Sequence, residues 1–266
     1  MGERNRHLDL VRERFTRTAQ PFARFALTTR AEEAERLAAL AVEDLPAAAR
    51  STALDLACGP GTFTRAFAAR VGFLCALDLT PAMLEQARQA AARAQLRNIA
   101  FACADANALP LADAAVALAA CGYAFHHFLE PGRPVRELAR VLRPGGRVAV
   151  ADLVVPEGAD AELNNRIERA RDSSHARTLT AAELAALLEA GGFRIRAVQT
   201  HERQREFDDW MRIIAAPPGS HVYRETRRLM ESSIAGDPAG YRPRAVPGSA
   251  KLEFVQTTFF VVAEKR

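Results

Sequence analysis

The stretch Thr52 to Thr64, TALDLACGPGTFT, decides the fold. Its first half, Ala53-Leu54-Asp55-Leu56-Ala57, is a short apolar run bounded by a turn signal, which predicts a strand buried on both faces. At Cys58-Gly59-Pro60-Gly61 the chain must turn sharply and keep side chains out of the way. From Thr62 the segment TFTRAFAAR returns to helical spacing, with Phe63 and Phe67 four residues apart. Strand, glycine turn and helix open a nucleotide-binding βαβ unit, in which bare backbone approaches the ligand and the first helical amides face it.

A tight turn with no ligand has the same outline, and two acids separate the readings. Asp55 sits inside the apolar run, where an unpaired carboxylate is costly. Asp78 ends the next apolar run, Phe73 to Leu77, and lies 23 residues after Asp55. That spacing suits the acid that holds ribose hydroxyls at the tip of a second strand. The dinucleotide fingerprint places a third glycine three residues after the second; here that position is Thr64, so a nicotinamide dinucleotide fits poorly.

The surrounding sequence alternates in the same way. Strands are predicted over 73–78, 99–103, 115–120 and 147–153, and helices over 80–95 and 131–142. Thr80 is the expected N-cap of the first of these helices, with Pro81 at its first position. This rhythm predicts an α/β, doubly wound, mostly parallel sheet. Before it, Leu8, Val11, Phe15 and Ala19 mark an amphipathic helix over 4–20 that Pro21 ends or kinks, and a second helix over 29–45 stops before Pro46. After it, 156–177 reads as charged and helical. Thr180 and Glu183 form a capping box for a helix that Gly191-Gly192 stops, and 193–200 reads as a strand. Residues 203–250 are mixed, with helices around Trp210 and over 223–234, and 252–263 is a final strand. A connection of this length is typical of a lid or binding element.

Of the 266 residues, 49% are hydrophobic and 26% charged, ordinary for a globular protein. No run of eighteen apolar residues and no secretory leader is evident, so a cytoplasmic protein without a membrane span is expected. The 36 basic residues, all arginine except Lys251 and Lys265, are interspersed with 32 acids. That pattern reads as solvated faces, not a nucleic-acid surface. Cys58, Cys75, Cys103 and Cys121 form no C-x-x-C pair and are read as buried thiols in a reducing compartment, with no metal site.

The segment LDLACGPGT resembles the first motif of class I S-adenosylmethionine-dependent methyltransferases, D-x-x-C-G-x-G-x. The segment ending His126-His127-Phe128, and Arg171-Asp172-Ser173-Ser174-His175, resemble motifs of the ubiquinone/menaquinone-biosynthesis-like (type 11) subgroup, with Ser173 where that subgroup has proline. The resemblance implies a Rossmann-like seven-stranded sheet with an antiparallel last strand, plus N-terminal helices and a helical insertion. It implies an N-terminal cover at 1–46, a cofactor-binding domain at 47–202, a substrate lid at 203–250 and a last strand at 251–266. Phe15, Ala19 and Phe22 match a family segment that folds over the cofactor, Phe22 replacing a tyrosine.

The implied activity is methyl transfer from S-adenosylmethionine to a small organic acceptor, in quinone-like or secondary metabolism; a protein that binds the cofactor without transferring its methyl is the alternative. Partners are limited to the small-molecule acceptor, and a homodimer is left open. The resemblance places Ala57, Gly59 and Gly61 against the methionyl part, Asp55 near its amino group and Asp78 on the ribose. It places Leu79, Met83, Asp105 and Ala106 at the adenine, and Cys121 along the cofactor through its backbone. His126 and His175 are the candidate general bases, since imidazole titrates in the useful range. An imidazole that only packs its loop is the alternative for each, and His127 reads as the more structural of the adjacent pair. Tyr123, His126 and Trp210 are the candidate acceptor contacts; for Trp210, as for Phe207, Met211 and Tyr223, the alternative is an inner core of the insertion.

Overall fold

The computed structural model describes residues 2–45 and 51–266, so the expected helix stop at Pro46 and the boundary at 46/47 lie outside the described residues. The decisive stretch folds as β1 (Thr52–Leu56), a turn, and α4 (Thr62–Ala68). Alternation continues through β2 (Phe73–Asp78), α5 (Pro81–Arg93), β3 (Ile99–Cys103), β4 (Val116–Gly122), α6 (Gly132–Val141) and β5 (Leu142–Leu153). Then follow α7 (Ala161–Arg171), α8 (Ala181–Ala190) and the long hairpin partners β6 (Phe193–Glu206) and β8 (Leu252–Lys265). Between these two lie α9 (Phe207–Arg212), α10 (His221–Glu231) and the two-residue β7 (Arg244–Ala245).

The sheet order is β3-β2-β1-β4-β5-β8-β6, with β7 paired to β8. Pairing is parallel from β3 to β5, and β8 runs antiparallel to both β5 and β6. Chain order reverses between β1 and β4, which opens a crevice at their carboxyl ends. Successive strand residues feed opposite faces. Leu54, Val148, Val150 and Phe259 join Val135, Leu138, Leu184 and Leu188 on one side. Ala53, Ala149, Ala151 and Phe260 join Leu37, Phe63, Phe67 and Leu84 on the other. Two covered faces are why these strands read as unbroken apolar runs.

Three N-terminal helices, α1 (Glu3–Arg17), α2 (Ala19–Thr29) and α3 (Ala31–Val42), precede the sheet. The break after α1 falls at Thr18, not Pro21: the Thr18 hydroxyl bonds the Arg14 carbonyl and accepts from its guanidinium. Pro21 sits in the first turn of α2, where its missing N–H leaves nothing unpaired. The capping box at Thr180 and Glu183 forms as expected. At α5, Pro81 occupies the first turn but the Thr80 side chain makes no cap bond; Asp78 Oδ1 accepts the Thr80 N–H instead.

The sixth strand runs on through HERQRE, past Thr200 where sequence reading ended it and into the region read as mixed. At the sheet edge it pairs residue for residue with Glu253–Thr258 of β8, so backbone bonds carry it without apolar alternation. Cys103 is exposed and Cys75 half-buried, because they lie on the edge strand β3 and its neighbour; Cys58 and Cys121 are buried. Among the described residues no helix is long and apolar enough to cross a membrane.

Candidate active site

A cleft of about 920 Å³ lies over the carboxyl ends of β1, β2, β3 and β4. Its floor is the β1–α4 turn, where Ala57, Gly59 and Gly61 have φ of 52°, 53° and 88°. Three left-handed residues in five fold the chain into a tight cradle, and glycine removes the Cβ penalty at two of them. At Gly59 no atom lies within 4 Å of where a Cβ would stand, whereas at Gly61 that position meets Ala87 at 3.2 Å. Gly59 therefore faces open space, and Gly61 serves the packing of α4 on α5.

Asp78 lines the cleft and locks its floor: Oδ2 accepts the Gly59 N–H and Oδ1 the Thr80 N–H, both at 2.8 Å. Burial pushes this carboxyl up to about 6, against the pull of those two amides. Asp55 lies one layer below. Its Oδ2 accepts the Thr64 hydroxyl at 2.6 Å, its Oδ1 has no partner, and burial pushes it up to about 7. Leu79, Met83, Asp105 and Ala106 complete the far wall, with Asp105 Oδ1 accepting the Asn107 amide N–H groups. Leu8, Val11 and Phe15 of α1 and Phe22 and Ala26 of α2 form the roof.

Cys121 does not reach the cleft. Its side chain is fully buried in the core, and the next residue, Gly122, is the one on the wall. A Cβ at Gly122 would stand 2.2 Å from the Phe63 ring, so glycine admits that ring to the wall.

A second chamber of about 520 Å³ adjoins the cleft, sharing Phe15, Phe22, Arg30, Tyr123 and His127 with it. His126, His175 and Trp210 stand here and not in the cleft. His126 Nδ1 lies 2.5 Å from Asp152 Oδ1, while Asp152 Oδ2 accepts the Phe125 N–H at 2.6 Å. With Nδ1–H donated to a carboxylate, the Nε2 lone pair of His126 is left to accept a proton. The His175 ring stacks on that of His126, with centroids 5.4 Å apart. Its Nε2–H donates to Asn165 Oδ1 at 3.1 Å, and burial holds it well below the ordinary imidazole value. His127 Nδ1–H donates to the Ser174 carbonyl, and burial pushes His127 down to about 3.

Trp210 packs on Phe207 and Phe254 in a third core that the insertion builds with α7, and Arg171 lies 4.3 Å over its face. Phe207, Met211 and Tyr223 belong to that core and not to either cavity wall. The chamber is closed from the N-terminal side by a buried ion pair, Arg14 Nε to Asp172 Oδ2 at 3.0 Å. Burial alone would raise the Asp172 carboxyl, but Arg14 and the neighbouring cations outweigh it and hold it well below the usual carboxylate range.

Residues 54–150 match a methyltransferase domain of type 11. An uncharacterized methyltransferase of Bacillus subtilis, YcgJ, is 31% identical over 187 residues, 70% of this chain and 72% of that protein. Its crystal structure superposes with a TM-score of 0.78 over 87% of this chain and 98% of that one, at 25% identity. The chain belongs to the class I S-adenosylmethionine-dependent methyltransferases. A demethylmenaquinone methyltransferase of Clavibacter sepedonicus is a further relative, 35% identical over 39% of this chain and 41% of its own length.

The cofactor of this methyltransferase fits the cleft on two observations. Asp55 Oδ1 is buried with no hydrogen-bond partner, beneath the turn that would receive a cationic amino acid. The space at Gly59 admits a ligand against bare backbone. Sequence reading missed Asp152, Arg14, Arg30 and Arg205. Asp152 had a signal, since the run Val148 to Ala151 ends in aspartate as Phe73 to Leu77 does. The three arginines are three among many in an arginine-rich chain, and nothing in their spacing sets them apart.

Proposed function

We propose that this methyltransferase alkylates an acidic hydroxyl on a small organic acceptor seated in the second chamber, with His126 as general base. The observation that carries this reading is the His126–Asp152 pair, which frees one imidazole nitrogen beside the junction of the two cavities. Bound in the cleft, S-adenosylmethionine supplies a methyl carbon activated by its sulfonium, whose bonding pair stays with sulfur as the methyl leaves. The acceptor proton passes to His126 Nε2, and the oxygen lone pair becomes the new O–CH₃ bond. Asp152 fixes the tautomer and offsets the charge on the ring. His175 supports His126 by stacking and stays neutral.

The cleft residues hold the cofactor in this reading. Ala57 and Gly59 present backbone to its methionyl part, and Asp55 faces the amino group from below. Asp78 takes the ribose hydroxyls with its remaining lone pairs, Leu79 and Met83 cover the adenine, and Asp105 with the Ala106 amide binds its edge. Phe15 and Phe22 exclude water from the reacting groups, which aligns and desolvates them. Aromatic walls suit a ring acceptor, in line with the quinone named for the Clavibacter sepedonicus relative.

A metabolite-extract screen with labelled methyl donor and mass spectrometry of the product identifies the acceptor. With it in hand, His126→Ala and Asp152→Asn each lower kcat by about 10²-fold or more, while the KM for the donor stays near its wild-type value. An unchanged kcat in His126→Ala would assign catalysis to alignment alone.

A further inference from the structure

The second chamber holds more positive charge than its own residues neutralise. Four arginines stand on its wall, with two carboxylates, Glu168 and Asp172. Arg14 takes Asp172, and Arg171 lies 3.8 Å from Glu168 while donating to the Trp210 carbonyl. The guanidiniums of Arg30 and Arg205 have neither a hydrogen bond nor an ion pair to any described residue.

Both guanidiniums face one aromatic ring. Arg30 is 5.2 Å and Arg205 4.8 Å from the Phe25 centroid, and Arg30 also lies 3.5 Å from that of Tyr123. The acids around them are already engaged. Glu33 pairs with Arg203 at 2.9 Å and accepts the Tyr123 hydroxyl, and Asp152 holds His126. Burial, together with repulsion from Arg30, Arg171 and Arg203, pushes Arg205 down to about 9. Sheltered guanidiniums held together without acceptors are costly, and a planar fork matches an oxyanion better than any other partner.

We propose that the acceptor itself carries an oxyanion, a carboxylate or phosphate on an aromatic or apolar body, held between Arg30 and Arg205 while its reacting group lies at His126. This rests on the second chamber being the acceptor's seat. Phe15, Phe22, Phe25 and Trp210 wall the body, and the two cations grip its far end. A neutral ring would fill the walls and leave both guanidiniums unpaired.

The test measures binding of matched pairs to the enzyme saturated with S-adenosylhomocysteine: benzoate, cinnamate and hexanoate, each against its primary amide, and phenyl phosphate against phenol. At least one anion is expected to bind about tenfold or more tighter than its neutral partner, as charge-assisted bonds require. Tighter binding of phenyl phosphate than of benzoate also supports the site, with phosphate as its anion. Arg205→Met and Arg30→Met, checked for folding by thermal unfolding, each abolish the preference, and Arg205→Lys restores part of it. Equal binding of charged and neutral partners, no binding by any anion, or a preference that survives both methionine variants overturns the proposal. If transfer to an extract acceptor depends on His126 while acids and amides bind alike, the oxyanion site falls and the transferase reading stands. If the acid preference is intact and His126 is dispensable, the oxyanion site stands and the general base falls.

Discussion

Asp78 is the carboxyl at which the proposed cofactor site meets the fold. Its two bonds to the Gly59 and Thr80 amides shape the cleft floor, yet burial still pushes it up to about 6. Asp55 behind it is pushed up to about 7. Binding a cationic cofactor favours their ionised forms, so affinity for S-adenosylmethionine falls as pH drops below about 7 and levels off above it. Calorimetry at pH 5.5, 6.5 and 7.5 measures this, and a flat profile would remove both acids from the cofactor site. Stability carries the opposite sign. A carboxyl raised in the folded state binds a proton that the unfolded chain has lost between about pH 4 and 6, so it costs stability as pH rises through that window. Asp78→Asn removes this cost and gains on the wild type by about 1.4 kcal/mol per pH unit between pH 4 and 6. Urea unfolding at several pH values reads the slope, and a constant difference would show that Asp78 is not held above its ordinary value.

At the scale of elements, α1 and α2 act as a roof whose attachment is electrostatic as well as apolar. Phe15 packs edge-on against Phe22 and His127, and Arg14 reaches across to Asp172 just beyond α7. Both members of this ion pair are buried, so removing one strands the other in a low-dielectric setting. Arg14→Met should destabilise the protein by about 3–5 kcal/mol, and Arg14→Met with Asp172→Asn should recover a substantial part, since asparagine still accepts from Ser174. Hydrogen exchange should rise across 3–29 and stay low in β1, β4 and β5. Equal loss of protection in those strands would mean that the pair supports the whole fold and not the roof. The α7 and insertion elements owe their place to side chains of the third core, Ile167, Trp210, Met230 and Phe254, which are apolar but drawn from four separate segments.

Across the whole molecule, both cavities are assembled from residues far apart in the chain. The cleft joins α1 and α2 to the tips of four strands, and the second chamber joins α1 and α2 to α7, α9, β6 and β8. A ligand filling the first cavity therefore ties the N-terminal helices to the sheet and binds only the folded chain. At a hundredfold excess over its Kd, S-adenosylmethionine should add about 2.7 kcal/mol, which raises Tm by roughly 5–10 °C. Differential scanning fluorimetry with and without cofactor checks this, and Asp78→Asn should shrink the shift. No shift in the wild type would contradict cofactor binding in the cleft.

The sequence by itself determined the alternating strands and helices of the parallel part of the sheet and the tight turn after its first strand. Those features rest on local signals: an apolar run that holds Asp55 and another that ends at Asp78, the glycine turn between them, and the capping box at Thr180. Each is written in a few adjacent residues, because a buried strand and a tight turn constrain their own composition. Its reading of the edge was weaker. The strand was read as ending at Thr200, short of the HERQRE half of β6, because backbone pairing with β8, not its own side chains, makes that half a strand. Only the tertiary structure brought Asp152 to His126, Asp172 to Arg14, and Arg30 and Arg205 to one ring. A charge has no sequence pattern that names its partner, since its energy depends on burial and on what lies within a few ångströms across the fold. The turn and strand tips that floor the cleft were therefore legible in the chain, and the second chamber became visible only once the chain was folded.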